Sequence, residues 1–414
     1  MEPLKSKRQF PDVPHFLGLI AWKLPTIRRT KEKIDKAITI YDLQKLAKKK
    51  VPRATYDYVE GGAQREISYQ RSADAFTNLE FNVRVLRNIS SIDTSTEVFG
   101  KNVDLPIVFA PTGYTRFMYH VGEPAVAAVA EANNLIYCLS TMGTTAPDEL
   151  AAAVPGARRW FQLYMMQNRE QSLSMINSAN ENGFEALVIT VDTPVSGHRP
   201  RDIRNGLTIP PRLGLKTIAY VIAKPRWWIN LLTTKKLEFA AFRGWDKPLA
   251  ELASHIFDSS MTFDDLAWVK SVWDGRIVIK GIQSVEDAVK CKEAGVDAIV
   301  LSNHGGRQLD RGSVPLEILP DVVAAVGNEL DVYIDGAVMS GQDVYGAIAR
   351  GAKGVFVGRA YLYGIMAGGQ YGVQRVVDIL KKEFINTMAL CGVKNLNEAR
   401  ALGAKIRSCR PHNS

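Results

Sequence analysis

Asp297-Ala298-Ile299-Val300-Leu301-Ser302-Asn303-His304-Gly305-Gly306-Arg307-Gln308-Leu309-Asp310 is the stretch on which the reading of this chain turns. Its first half is a short, unbroken apolar run, the pattern of a strand buried on both faces. Its second half sets an imidazole, two glycines and a guanidinium where that strand ends. Glycine lets backbone approach a ligand closely, histidine exchanges a proton near neutral pH, and arginine can hold a carboxylate in a two-pronged grip. These parts suit proton or hydride chemistry on a small organic acid.

Outward from this run, similar apolar segments recur at Leu105–Pro111, Ile136–Thr141, Trp160–Met165, Ala186–Val191, Ile277–Gly281, Ala298–Ser302, Val332–Asp335 and Gly354–Gly358. Helical patterns separate them, at Glu123–Asn133, Asp148–Val154, Arg169–Asn182, Val285–Ala294, Leu316–Val326 and Gln342–Arg350. Strict strand–helix alternation implies parallel strands joined by crossover helices, and eight such units imply a closed (β/α)8 TIM barrel. An open doubly wound sheet is disfavoured, because Ala110-Pro111-Thr112-Gly113 lacks the GxGxxG fingerprint. Two regions fall outside the repeat. Residues 40–100 form a largely helical N-terminal preface, with helices over Ile40–Lys49 and Ala54–Glu60. Residues 195–261 form a long insertion after strand 4, holding Pro210-Pro211 and Lys224-Pro225-Arg226-Trp227-Trp228-Ile229. The expected organisation is a basic arm over 1–38, one catalytic barrel over 39–392 and a C-terminal tail over 393–414.

The chain has 414 residues, 46% hydrophobic and 23% charged, ordinary for a globular enzyme. Its net charge of +9 is concentrated at one end. Residues 1–50 hold 13 Lys/Arg against 5 Asp/Glu, so they carry +8 and leave +1 for the rest. That distribution excludes a uniformly basic nucleic-acid binder. The arm also holds the apolar patch Phe16-Leu17-Gly18-Leu19-Ile20-Ala21-Trp22 beside Lys23, Arg28 and Arg29. The patch is too short to span a bilayer, but such a patch among basic residues can lie on an anionic membrane surface. Trp227 and Trp228 could face the same surface, cap the barrel or form an oligomer contact. Cys138, Cys291, Cys391 and Cys409 have no CxxC spacing, which points to a reducing compartment and away from a structural zinc. No Glu-rich or His-rich set suggests any metal.

In a (β/α)8 barrel the reactive groups gather at the C-terminal ends of the strands. Those ends carry Thr112 and Gly113, Ser140 and Thr141, Gln162 and Tyr164, Thr190 and Asp192, Lys280, His304 and Arg307, Asp335 and Gly336, then Gly358 and Arg359. A lone histidine is more often a satisfied core residue, but eight polar ends converging on one mouth describe a site. The last two ends suit a phosphate, with Gly336, Gly341 and Gly358 for close approach and Arg359 for charge. Lys280 could form a Schiff base or stabilise negative charge on a cofactor ring.

From Thr39 to Gly392 the chain resembles the FMN-dependent L-2-hydroxy acid oxidase/dehydrogenase family. The resemblance rests on Ser302–Asp310 together with Tyr58, Pro111-Thr112-Gly113, Gln162-Leu163-Tyr164, Thr190–Pro194 and Lys280 in family order. It is nearest to the bacterial respiratory, quinone-linked L-lactate dehydrogenases. The resemblance implies FMN as cofactor and L-lactate, or a related L-2-hydroxy acid, as substrate. It implies His304 as the base, taking the hydroxyl proton as hydride moves to flavin N5, or the α-proton in a carbanion scheme. Asp192 would pair with His304. Arg307 and Tyr58 would bind the carboxylate, with Arg199 nearby, and Tyr164 would bond the substrate oxygen. Lys280 would stabilise the reduced ring, and Met142 would lie over the substrate side chain. Thr112, Gly113, Ser140, Gln162, Thr190, Ser302, Asp335, Gly336, Gly358 and Arg359 would contact the flavin. A homotetramer, at the inner face of the cell membrane or in the cytoplasm, completes the expectation.

Two departures stand out. Where many members continue Asp-Gly-Gly-Val-Arg, this chain reads Asp335-Gly336-Ala337-Val338-Met339, and Met339 cannot donate a hydrogen bond to a phosphate. Gly113 replaces the alanine of typical oxidases. Two other readings fit the same residues: a soluble oxidase releasing hydrogen peroxide, and a barrel lyase or isomerase using Lys280 as a Schiff base.

Overall fold

The computed structural model describes residues 29–207, 214–243 and 257–407. The apolar patch Phe16–Trp22, the Pro210-Pro211 pair and Cys409 lie outside the described residues. Eight parallel strands close into a barrel: β4 Ile107–Phe109, β5 Ile136–Ser140, β6 Arg158–Leu163, β7 Ala186–Thr190, β8 Arg276–Ile282, β9 Ala298–Leu301, β10 Asp331–Asp335 and β11 Gly354–Val357. Each pairs with its sequence neighbour, and β11 closes on β4 through Val355↔Ile107 and Val357↔Phe109. The strands preceding them are short: β1 Leu79–Phe81, and the hairpin of β2 Thr96–Val98 with β3 Lys101–Val103.

Alternation along the strands positions the site. Leu187 and Ile189 of β7 join the large core under the outer helices. Ala186 and Val188 belong instead to a second core inside the barrel, with Val108, Ile136, Cys138, Trp160, Val278, Ala298, Val300, Tyr333 and Phe356. Side chains two residues apart share a face. Continuing each inward series toward the C-terminal end reaches Thr112, Ser140, Gln162, Thr190, Lys280, Ser302, Asp335 and Gly358. The apolar interior therefore ends in a ring of small, polar and charged groups. At the other end Val98 and Val103 of the hairpin, with Phe99 stacked on Trp160, plug the barrel.

The preface contributes helices α1 Arg29–Asp35, α2 Ile40–Lys50, α3 Arg53–Glu60 and α4 Ile67–Thr77. Thr39 caps α2 through a capping box with Asp42. α1 and α2 pack on the long helix Arg359–Cys391, so the last residues assigned to the arm belong to the folded body. The C-terminal segment also departs from expectation. Residues 393–407 are not a tail: they form the helix Leu396–Leu402 and then β12 Ala404–Ile406, antiparallel to β1. Buried Val393, Leu396 and Ala399 hold them to the core. Within the insertion the chain forms helices Pro200–Arg204, Leu215–Ile222 and Pro225–Leu232.

Candidate active site

The run that opened the sequence reading bends sharply as β9 ends. His304, Gly305 and Gly306 have φ of 57°, 62° and 72°. A left-handed histidine is strained, and such strain concentrates at functional sites. The glycines are required by space as well as by φ. A Cβ on Gly305 would lie 2.7 Å from Arg359 Nη1, and one on Gly306 would lie 2.6 Å from the Tyr69 backbone nitrogen. Ser302 Oγ accepts from the His304 N–H at 2.9 Å, and Asn303 Oδ1 accepts from Gly306 N–H at 3.1 Å. Asp310 accepts from Ser68 N–H at 2.8 Å, tying the far end of the run to α4.

The bend aims His304 at Asp192, with Nδ1 and Oδ1 2.9 Å apart and the Asp192 side chain 1% exposed. Burial works against the Asp192 charge, but His304 and then Lys280 outweigh it and hold the carboxyl below its usual range. The wall behind Asp192 is a signal the sequence reading missed. Gly281 sits in an irregularity of β8 with φ of 114°, and a Cβ there would meet Asp192 Cβ at 2.7 Å. A bulge that only glycine can occupy makes room for the carboxylate.

Lys280, 4% exposed, bonds Ser302 Oγ at 2.9 Å and pairs with Asp335 Oδ2 at 2.7 Å. Burial disfavours its charge, yet Asp335 and Asp192 prevail and raise the ammonium above its ordinary value. Arg307 differs. It is half-buried, its Nη1 donates to Tyr58 O at 2.6 Å and Gly61 O at 2.9 Å, and it lies over the Tyr58 ring at 5.0 Å. It forms no ion pair among the described residues. Burial and the neighbouring Arg199 push it down to about 10, so it remains a cation at neutral pH. Arg199 lies over the other reach of Tyr58 at 5.9 Å and pairs with Asp202 at 3.3 Å. Burial pushes the Tyr164 phenol up, with Asp192 and Tyr58 adding to the rise, so it is a hydrogen-bond donor at neutral pH.

Asp192, buried behind His304, and Ser302 excepted, the sequence-selected site residues border one cavity of ≈ 860 Å³. Ser302 lies beneath it and reaches it through Lys280 and His304. Around the trough several buried polar atoms have no protein partner: Gln162 Nε2, Thr190 Oγ1, Asp192 Oδ2 and Asp335 Oδ1. Native proteins rarely leave such atoms unmet, so their grouping here marks where a polar ligand belongs. At the far end Arg359 donates to Val59 O at 3.0 Å and Gly61 O at 3.1 Å and stacks over Tyr69. It opens a helix, beside Gly336 and Gly358, where an anion is favoured. Gly341 does not contribute there. A Cβ on it would meet Phe384 N at 2.2 Å, so its small size serves packing on the helix Arg359–Cys391. Met339 does line the cavity, and its N–H is taken by Asp343 Oδ2 at 2.8 Å. The space freed by Gly113 is filled: a Cβ there would meet Met142 Cβ at 2.8 Å. Among the described residues no His/Cys/Asp/Glu group could hold a metal.

Comparison with known proteins gives a consistent picture. The family model for FMN-dependent dehydrogenases matches residues 47–403. A Mycobacterium tuberculosis protein named "Putative L-lactate dehydrogenase" is 44% identical over 391 residues, covering 94% of each chain. A peroxisomal (S)-2-hydroxyacid oxidase of Arabidopsis thaliana is 35% identical over 379 residues, 92% of this chain and 99% of its own. The solved structure of a monotopic membrane protein, (S)-mandelate dehydrogenase, superposes with a TM-score of 0.86 at 32% identity, over 90% of this chain and 100% of that one.

Proposed function

The chain belongs to the FMN-dependent dehydrogenase family, and from that premise we propose that it oxidises L-lactate or a related L-2-hydroxy acid to the 2-keto acid and passes the electrons to a membrane quinone. It is an FMN-dependent enzyme of 2-hydroxy acid oxidation. The residues present fit that cofactor. Gln162, Thr190 and Lys280 offer polar atoms to a flat heterocycle carrying carbonyl and imide groups, and Arg359 with Gly336 and Gly358 offers an anion seat at a helix start. When bound, FMN supplies the two-electron acceptor.

One observation carries the substrate reading. Arg307, a cation with hydrogen bonds to carbonyls and no ion pair among the described residues, stands three residues from a histidine whose Nδ1 is held by Asp192. A substrate carboxylate completes Arg307, with Tyr58 and Arg199 beside it. His304 Nε2 is then the nitrogen left to take a proton, and Asp192 stabilises the imidazolium that results. Tyr164 donates to the substrate oxygen that becomes the keto oxygen. Lys280 keeps its positive charge beside the acceptor. The same pairing with Asp335 counts against a Schiff-base lyase, which needs a neutral amine. Anaerobic L-lactate should bleach the flavin absorption, and protein that stays colourless after FMN is added would end this reading.

The quinone and the membrane draw support from the insertion. Its helices Leu215–Ile222 and Pro225–Leu232 expose Leu215, Ile218, Ile222, Ile229 and Leu232, with Lys216 and Arg226 also exposed. Basic residues beside an apolar face suit an anionic lipid surface. Trp227 does not face outward: it packs on Phe117 and donates to its carbonyl at 3.1 Å. No described helix is long and apolar enough to cross a membrane. We assign the protein to the cytoplasmic membrane face, as a homotetramer whose catalytic unit takes in the helix Arg29–Asp35 and the strand Ala404–Ile406, with the basic stretch before Arg29 as a second lipid contact. Co-sedimentation with anionic but not neutral vesicles is expected. A soluble oxidase is the second reading, supported by the peroxisomal relative's name. Rapid peroxide formation with poor reduction of a quinone analogue would favour it.

A further inference from the structure

The insertion roofs the substrate end of the cavity with aromatic rings. Phe257 meets Tyr164 edge-on, with centroids 5.1 Å apart, and Phe239 lies 4.7 Å from Tyr114. Tyr114 continues to Phe117 at 5.6 Å, and Phe117 to Tyr58 at 6.2 Å. All of these side chains border the same cavity as His304, and all are half-buried.

The roof is fixed in place by bonds to the barrel. Beside Phe239, Ala240 N–H donates to Gly143 O at 2.9 Å and Arg243 grips Glu149 through two nitrogens at 2.7 and 2.9 Å. Beside Phe257, Asp258 N–H donates to Met165 O at 3.0 Å, and Arg169 bridges Asp258 and Asp265 at 2.8 and 2.7 Å. Two polar residues of the cavity wall are engaged elsewhere. Gln308 is bonded to Val195 O and Gly197 N, and Arg199 to Asp202. Phe239, Phe257, Tyr114 and Phe117 thus give this end of the cavity an aromatic wall among the described residues.

We propose that Phe257 and Phe239 are specificity-determining residues that select L-2-hydroxy acids with branched-chain or aryl side chains over L-lactate. The proposal rests on the reading that this site oxidises 2-hydroxy acids. Each methylene placed in such a pocket is worth roughly 10–200-fold in discrimination.

The test uses the FMN-loaded enzyme in two ways. Calorimetric titration with the unreactive keto acids pyruvate, 4-methyl-2-oxopentanoate and phenylpyruvate measures the pocket without turnover. Anaerobic flavin reduction by the matching L-hydroxy acids measures kcat/KM. Phenylpyruvate is expected to bind at least about tenfold more tightly than pyruvate, and the kcat/KM ratio should follow. Phe257→Ala and Phe239→Ala should each cut that ratio by about tenfold or more, and Phe257→Leu should restore most of it. A ratio near or below one in both measurements, or one that the alanine variants leave unmoved, overturns the proposal. If the keto acids bind in order of size but no hydroxy acid bleaches the flavin, the pocket assignment stands and the oxidation reading falls. If lactate is the preferred substrate, the reading stands and the pocket assignment falls.

Discussion

Replacing Gly281 with alanine tests whether the β8 bulge is what places Asp192. The new Cβ would lie 2.7 Å from Asp192 Cβ, 2.8 Å from its Cγ and 2.8 Å from its backbone nitrogen. Two of those contacts involve Cβ and backbone, so no rotamer change relieves them. The φ of 114° lies where side-chain-bearing residues are held at a cost of about 1–3 kcal/mol. The chain can escape both by shifting β8 away from Asp192, and that shift breaks the 2.9 Å pair with His304. A charge-assisted hydrogen bond is worth about 1.5–3 kcal/mol, so flavin reduction should slow roughly 10–150-fold. The assay is anaerobic stopped-flow bleaching with saturating hydroxy acid, alongside Tm and flavin content. Gly100→Ala is the control: its φ is 76° and a Cβ there meets nothing within 4 Å. It should lower Tm slightly and leave the bleaching rate alone. Normal bleaching by Gly281→Ala with its flavin retained would refute the assignment of Asp192 to the proton-handling pair.

His304→Gln should keep the yellow cofactor and bleach at least about a hundredfold more slowly, since a positioned base contributes roughly 10²–10⁴-fold; comparable bleaching would remove it from the mechanism. Lys280→Met leaves Asp335 without its ion-pair partner and should cost about 3–5 kcal/mol in denaturant unfolding, and borohydride with substrate should trap no adduct on wild-type Lys280. Met339→Arg should tighten FMN binding by about 1.5–3 kcal/mol in apoprotein titrations by returning a charged donor to the phosphate end; unchanged affinity would show that Arg359 and backbone suffice. Burial raises the Asp343 carboxyl to about 6, above its unfolded value, so the proton it holds favours the fold below about pH 4 and that contribution is lost as pH rises to about 6. Asp343→Asn should therefore raise Tm at pH 8 by an amount that shrinks toward pH 4, and equal gains at both would contradict the shift.

The eight strands and their helices were legible because each apolar run is buried on both faces and each is bounded by turn residues. Every expected strand lies within two residues at each end of the observed one, and the differences are largest at Leu105–Pro111, where the ladder holds only Ile107–Phe109, and at Trp160–Met165, where it holds Arg158–Leu163. The ring of polar ends was legible for the same reason, since a period of two carries Val188 to Thr190 and Tyr333 to Asp335. Four features were not. Helix α4 has mixed polarity and is held by Asp310, which lies more than 240 residues away. Strand β12 exists only because β1 offers it an edge, and three-residue strands leave no period to read. Gly281 looks like any strand-end glycine until Asp192 is found against it. The roof formed by Phe239 and Phe257 is also a product of tertiary anchoring through Arg169 and Glu149, which local pattern cannot reveal.

The distribution of charge explains why this mouth tolerates so many cations without a matching number of acids. Lys280 is balanced by Asp335, His304 faces Asp192, and Arg199 is balanced by Asp202. Arg307 and Arg359 are the exceptions: neither forms an ion pair among the described residues. Both instead bond the carbonyl of Gly61, and between them they take the carbonyls of Tyr58 and Val59 as well. Those carbonyls close the C-terminal end of α3, where the helix dipole is negative. Partial charges of that size position the two guanidinium groups, and the acids that act on them, Glu60 on Arg359 and Asp202 on Arg307, do so without an ion pair, so each still favours an anion beside it. Two such cations, side by side on one helix end yet facing opposite reaches of the cavity, call for two separate anions. Under the proposed function, a flavin phosphate beside Arg359 and a substrate carboxylate beside Arg307 would meet that demand. Both cations are held by the same few carbonyls, so under the proposed function the helix Arg53–Glu60 would be the spacer that registers substrate against cofactor.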